Sequence, residues 1–407
     1  MHLVGAQLLS RWMDGPSYRN RHCIILHGPL PTEYGQCDCG FLKRVVWRLQ
    51  TVFSPLFAVW MVASATSCGS DQILSAPAAS IPEFEQRLED LRAGSHIPAI
   101  TAVISNGQQI VWAKAYGLSD LAAQRPAADT TVYHLASLTK PFAATVVLQL
   151  VEEGKVSLDD PVSMYGINLV SPAGTVIRVR HLLSHTSEGV PGTSYSYNGD
   201  RFGLLDAVIA QGAGKPLGAA LQERILTPIG LNRTAPNPQS TSFAVSGLDK
   251  ATYEGNMAHG YTYSGGNYNL TAYPTYFGAA AGLTASALDI ASFSMAMDRD
   301  ALLQPATKAL AYTPVVSPSG QTFPYGLGWF STDYKGVRII WHYGLWVANS
   351  SLIIKVPDRG LTFVVLANTD ALSAAYPLGQ GKLETSPWAR LFLDTFVIGS
   401  LALPTTR

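Results

Sequence analysis

The chain has 407 residues, enough for two domains or one large one, and its 47% hydrophobic content is ample for a sizeable core. The 28 basic and 28 acidic side chains cancel, charged residues make up only 14% against a usual ~25%, and no basic run carries interleaved aromatics. That balance argues against nucleic acid as a partner. All four cysteines, Cys23, Cys37, Cys39 and Cys68, precede residue 69, so neither a disulfide framework nor a Cys-based metal site is expected beyond them.

Residues 1–42 show no helical or strand periodicity and read as a disordered or mis-assigned leader. In 43–68, the basic Lys43-Arg44 and Arg48 precede an apolar stretch from Val52 to Ala63, then the small residues Ser64-Ala65-Thr66-Ser67 and Cys68. A basic region, a short apolar region and small residues describe a secretory signal. The apolar stretch is too short to span a bilayer comfortably, and Pro55 interrupts it. Ala65-Thr66-Ser67-Cys68 resembles a bacterial lipobox, in which Cys68 becomes the lipid attachment site. Plain cleavage nearby and an uncleaved anchor are the alternatives. An exported protein of the periplasm or cell envelope is expected, attached to the membrane through this segment. Residues 69–80, rich in Gly, Ser, Ala and Pro, read as a linker.

From Ile81 to Arg92 the spacing predicts a helix ending near Gly94. Ala99–Ser105 and Ile110–Tyr116 read as strands, and Asn106-Gly107 between them is a hairpin signal. Ser137-Leu138-Thr139-Lys140 then opens the apolar run Phe142–Val151, which stops at Gly154. Residues three apart are neighbours on an α-helix and eclipse in a 3₁₀ turn, so a hydroxyl and an amine share one face in either geometry. Serine needs a base to become a nucleophile, and a buried lysine can lose its proton near neutrality. Taken alone, the S-x-x-K spacing is a weak signal.

Modest helices and Gly/Pro-rich loops fill the region to about 320. Strand-like runs follow at Val337–Trp341, Ser351–Val356 and Leu361–Leu366, and a closing helix at Trp388–Ile398. This order predicts an α/β (α+β) fold: an antiparallel five-stranded sheet from both chain ends (81–160 and 321–407), flanked by terminal helices, with a mostly helical domain (161–320) inserted.

His181 and His185 stand at i, i+4 but lack the H-E-x-x-H glutamate and a third ligand, so a structural role bonding the following loop is expected rather than zinc. The loop Pro191–Gly199 offers a phenol that could share a proton with Lys140. Gly344, in Trp341-His342-Tyr343-Gly344-Leu345, would let substrate approach the strand, with the Leu345 and Ser137 amides as oxyanion donors. There is no G-x-S-x-G elbow and no P-loop.

Taken together and in order, Ser-x-x-Lys, a tyrosine loop after His181-Leu182-Leu183-Ser184-His185-Thr186-Ser187, and His342-x-Gly344 on a strand resemble the class C β-lactamase and penicillin-binding serine hydrolase family. The resemblance spans about 82–400 and includes Ala280-Ala281-Gly282-Leu283-Thr284, Tyr325-Gly326-Leu327-Gly328-Trp329 and Pro357-Asp358-Arg359-Gly360. It implies that Ser137 is acylated and that Lys140 and Tyr197 share base and acid duties, with the resting proton on either. His342 and Gly344 would occupy the place of the family's Lys-Thr-Gly strand. No metal or organic cofactor is implied. The sequence departs from the family in having Asn198 directly after Tyr197 rather than two residues on, which puts Asn198 in doubt as a substrate-positioning group, and in having histidine at 342. A neutral histidine attracts a carboxylate less than lysine does, which favours ester or small-amide hydrolysis over an efficient β-lactamase. The expected substrate is a small molecule or peptide with an ester, amide or β-lactam carbonyl. A catalytically silent sensor or scaffold of penicillin-binding type is the rival reading.

Overall fold

The computed structural model describes residues 77–399 and 401–403, so the leader, the signal segment with Cys68 and the first part of the linker lie outside the described residues. Helix α1 (Ile81–Gly94) starts where Ser80 caps the backbone of Glu83 and buries Phe84, Leu88 and Leu91. Strands β1 (Ala99–Ser105) and β2 (Ile110–Asp120) form the expected hairpin, with Val103 opposite Ala113.

The sheet has seven strands rather than five. The two-residue β3 (Arg125–Pro126) lies beyond β2 at one edge. From the C-terminal part come β4 (Phe330–Tyr334), β5 (Val337–Trp346), β6 (Asn349–Val356) and β7 (Leu361–Ala367), giving the antiparallel order β3-β2-β1-β7-β6-β5-β4. The pair β3 is too short to leave a sequence pattern. Strand β4 did leave one: Lys335-Gly336 forms the tight turn into β5, with both residues at positive φ, as a right-twisted hairpin requires.

Alternation divides the sheet into two faces. On one face Val103, Val364 and Ile353 lie in one cross-strand row, in register with His342, and pack on the helical region. Helix α2 (Lys140–Glu152) and helix α3 (Ala287–Asp298) meet there through Phe142 and Phe293, whose rings stack 3.9 Å apart. Buried Lys355 of β6 bonds Asp298 at 2.8 Å and ties α3 to the sheet. The other face packs on α1 and the closing helix, where Phe84 meets Trp112, Phe363 and Phe396 edge-on. That closing helix runs regularly over Pro387–Phe392 and then widens to π-type turns over Leu393–Ile398. No helix among the described residues is long and apolar enough to cross a membrane.

Candidate active site

Ser137 lies in a 3₁₀ turn, Ala136–Thr139, that feeds directly into α2. The turn is pinned on both sides. Leu135 donates its N–H to the Leu283 carbonyl, and its own carbonyl accepts from the Ser351 hydroxyl at 2.8 Å. Thr139 Oγ1 donates to Ala136 O and accepts from the Leu283 amide. Ala136 sits in the left-handed region at φ 48°, a conformation that costs an L-residue roughly 1–2 kcal/mol. Its amide is held by His134 Nδ1 at 3.1 Å. Within Tyr133–Lys140, Ser137 alone is not fully buried, so the scaffold presents this one side chain to the cleft.

Lys140 is wholly buried, with Nζ 2.8 Å from Ser137 Oγ and donating to the Ala280 carbonyl at 2.9 Å. The rings of Tyr197 and Phe202 stand 5.0 and 5.5 Å from it. Among the described residues no carboxylate forms an ion pair with it. Burial therefore lowers its pKa from 10.5 to about 7, with the charge of Asp200 opposing at a distance.

The Tyr197 hydroxyl is buried without an aligned hydrogen bond, although the Ser137 hydroxyl lies near enough to favour the phenolate slightly. Burial and the neighbouring Tyr343 prevail and drive the phenol pKa well above 10. Of the amine and the phenol, the amine is thus the group free to be unprotonated near neutrality.

His185 brackets Tyr197. Its carbonyl accepts from the Ser196 amide at 2.9 Å, its Nδ1 accepts from the Asn198 amide at 3.1 Å, and its ring lies 4.4 Å from the Tyr197 ring. The residue itself is left-handed, at φ 57°. His181 Nδ1 accepts from the Arg178 amide at the start of its own helical turn. Of the two histidine side chains, that of His185 bonds the following loop, whereas that of His181 bonds Arg178, three residues before it; the His181 carbonyl accepts from the Thr186 amide. Among the described residues no group of three or more His, Cys, Asp or Glu is arranged to hold a metal.

Asn198 commits its side chain locally. Oδ1 caps the helix Gly199–Gly203 by accepting from the Arg201 amide, and Nδ2 donates to Glu188 at 2.5 Å. His342 is fully buried. Its Nδ1 donates to the Tyr343 carbonyl at 2.7 Å, which leaves Nε2 to accept from the Tyr325 hydroxyl at 2.9 Å. Burial and Lys140 hold it neutral, well below its ordinary pKa. Gly344, two residues on and on the same face, approaches the chain's own backbone: a Cβ there would lie 2.1 Å from Leu135 O. The close contact this glycine allows is with the serine turn. Leu345 is exposed and pairs with Ser350.

Several contacts had no assignment in the sequence. Ala280 and Tyr325 fall in two of the ordered motifs, 280–284 and 325–329, that carried the resemblance without a role of their own. Phe202, whose ring faces Lys140, carries no sequence signal of its own. Beside the site, Tyr197 forms part of the wall of a cavity of about 670 Å³, with Thr193, Ser194, Tyr195, Gln321 and Tyr343 around it, and none of its lining residues is charged.

Three comparisons with known proteins bear on the family and the fold. The Beta-lactamase family model matches residues 84–379. Penicillin-binding protein 4* of Bacillus subtilis (strain 168) is 25% identical over 66% of this chain and 68% of its own length. Esterase EstB of Burkholderia gladioli is 26% identical over 36% of this chain and 48% of its own length. Among solved structures, the octameric penicillin-binding protein homologue from Pyrococcus abyssi superposes with a TM-score of 0.66 at 23% identity, covering 77% of each chain. The chain belongs to the beta-lactamase family of serine hydrolases.

Proposed function

We propose that this protein hydrolyses esters or small amides through an acyl-enzyme on Ser137. Lys140 takes the serine proton, the acyl carbon is attacked, and the amides of Ser137 and Leu345 receive the oxyanion. Tyr197, protonated at rest, passes a proton to the leaving group, and water then releases the acid. The observation that carries this reading is the 2.8 Å separation of Lys140 Nζ from Ser137 Oγ, with the lysine buried and without a carboxylate partner among the described residues. An amine so placed is a base poised near the working pH. Esters rank ahead of β-lactams because His342 is buried, neutral and engaged by Tyr325, and so offers no charge to a substrate carboxylate. The names of relatives support the range: an esterase, and a D-alanyl-D-alanine-carboxypeptidase/endopeptidase from Escherichia coli at 26% identity over 44% of this chain and 56% of that one.

The silent sensor or scaffold has one observation in its favour, the capture of Asn198 by its own helix and Glu188. A fluorophosphonate probe separates the two readings. Labelling of the Ser137 peptide, lost in Ser137→Ala with an unchanged melting curve, is expected; an unlabelled, folded wild-type protein supports the silent reading. Export and lipid attachment at Cys68 stand as a further proposal, tested by mass spectrometry of the mature N-terminus.

A further inference from the structure

Asp206 is a carboxylate that the acyl-enzyme chemistry does not use. It lies in the first turn of the helix Leu205–Ala213, half-buried, and among the described residues it forms no ion pair. Its Oδ1 accepts from the Ala279 amide at 2.9 Å. Burial raises its pKa to about 6, the Ala279 amide opposing, so near neutrality the acceptor is charged and the bond is of the stronger, charge-assisted kind. Ala279 and Ala280 are the central residues of a tight turn closed by Gly278 and Ala281, whose amides donate to each other's carbonyls at 2.9 and 3.2 Å. The Ala280 carbonyl, in the same turn, accepts from Lys140 Nζ at 2.9 Å. One two-residue turn is thus held by the carboxylate at one end and by the buried amine at the other.

We propose that Asp206 is a positioning residue for the proton transfer: it anchors the turn 278–281, and through the Ala280 carbonyl it fixes the Lys140 amine against Ser137. The inference rests on the acyl-enzyme reading above and adds a residue that acts through the lysine. A carbonyl only accepts, so the side of the amine turned to Ala280 carries a hydrogen. The lone pair of the neutral amine then stays available to the Ser137 hydroxyl, 2.8 Å away. Just past the turn, Leu283 is bonded to the serine segment, donating to Thr139 Oγ1 and accepting from the Leu135 amide. On the other side the bond from Asp206 ties the turn to the helical region. Removing the carboxylate frees that side, and a carbonyl that shifts takes the amine with it.

Gly278 gives independent access to the same contact. A Cβ there would stand 2.4 Å from Asp206 Oδ2 and 2.3 Å from the Tyr276 hydroxyl. Both are ends of side chains that can swing away, so Gly278→Ala is accommodated by displacing the carboxylate from the turn rather than by moving backbone.

The test measures kcat and KM for p-nitrophenyl acetate and the rate of Ser137 labelling by a fluorophosphonate, with a melting curve for each variant. Asp206→Ala should lower kcat and the labelling rate together by about 10–100-fold, with KM unchanged, because the amine is misplaced and the substrate site is not. Asp206→Asn keeps an acceptor for the Ala279 amide and should recover most of that loss. Gly278→Ala should reproduce the loss with Asp206 still present, and adding Asp206→Ala to it should cost little more, since both remove one contact. Wild-type kcat in Asp206→Ala, equal losses in the Ala and Asn variants, or a change confined to KM overturns the assignment and leaves the hydrolase standing. Should Asp206→Ala not fold, Gly278→Ala decides, and wild-type kcat there overturns the assignment. A folded wild-type protein that neither turns over the ester nor labels at Ser137 overturns the acyl-enzyme reading itself.

Discussion

The Leu135 carbonyl occupies the space a side chain at residue 344 would need, 2.1 Å from where a Cβ would stand, with Ser351 Oγ 2.3 Å away. Strand β5 and the turn bearing Ser137 are therefore in backbone contact, and the serine's position depends on the absence of one methyl group. Gly344→Ala should displace the turn. Overpacking of this kind costs about 1–3 kcal/mol, and a shift of the nucleophile by even about 1 Å is enough for a hundredfold loss of rate. Denaturant unfolding and ester turnover, measured on one preparation, should both fall; full activity in the alanine variant would remove the structural argument for this glycine.

The buried amine sets a pH dependence. Below about 7 Lys140 carries a proton and cannot accept one from Ser137; above it the free amine dominates, so kcat/KM should rise with pH through about 7. No descending limb from Tyr197 is expected below pH 10, since its phenol is held protonated well beyond that. Lys140→Arg, a permanent cation, should lose about 10²–10⁴ in kcat at every pH. A flat profile between pH 5 and 9 would exclude Lys140 as the base.

His185 holds the tyrosine loop from both sides, through its carbonyl to Ser196 and its ring nitrogen to Asn198. It acts by positioning Tyr197, so His185→Ala should lower kcat by about a hundredfold with little change in KM. Asn retains an acceptor near the place of Nδ1, and His185→Asn should recover part of the loss. Equal loss in both variants, or a change in KM alone, would argue against positioning.

From sequence, a lysine at position 342 looks able to recruit a substrate carboxylate. In the structure the site is fully buried and bonded to Tyr325, so His342→Lys would place an uncompensated charge in the core. A loss of roughly 3–5 kcal/mol in unfolding free energy is expected, without improved turnover of carboxylate-bearing substrates. A stable variant that gains on such substrates would restore the binding role.

What the sequence determined on its own is local. The three-residue spacing puts Ser137 and Lys140 on one face in any right-handed helical geometry, and the structure realises it as a 3₁₀ turn entering a helix. The hairpin β1–β2 and the strands β5 to β7 followed from alternation of β-branched residues and from turn residues that tolerate positive φ. Contacts between distant segments left no such trace. That Gly344 makes room for Leu135, that His342 is spent on Tyr325, that Asn198 caps its own helix and that His185 clasps the tyrosine loop depend on which backbones pack together. Only tertiary structure decided the proton as well. Lysine and tyrosine have nearly the same intrinsic affinity for it, and burial pushes the two in opposite directions because the charged form is the protonated one for the amine and the deprotonated one for the phenol.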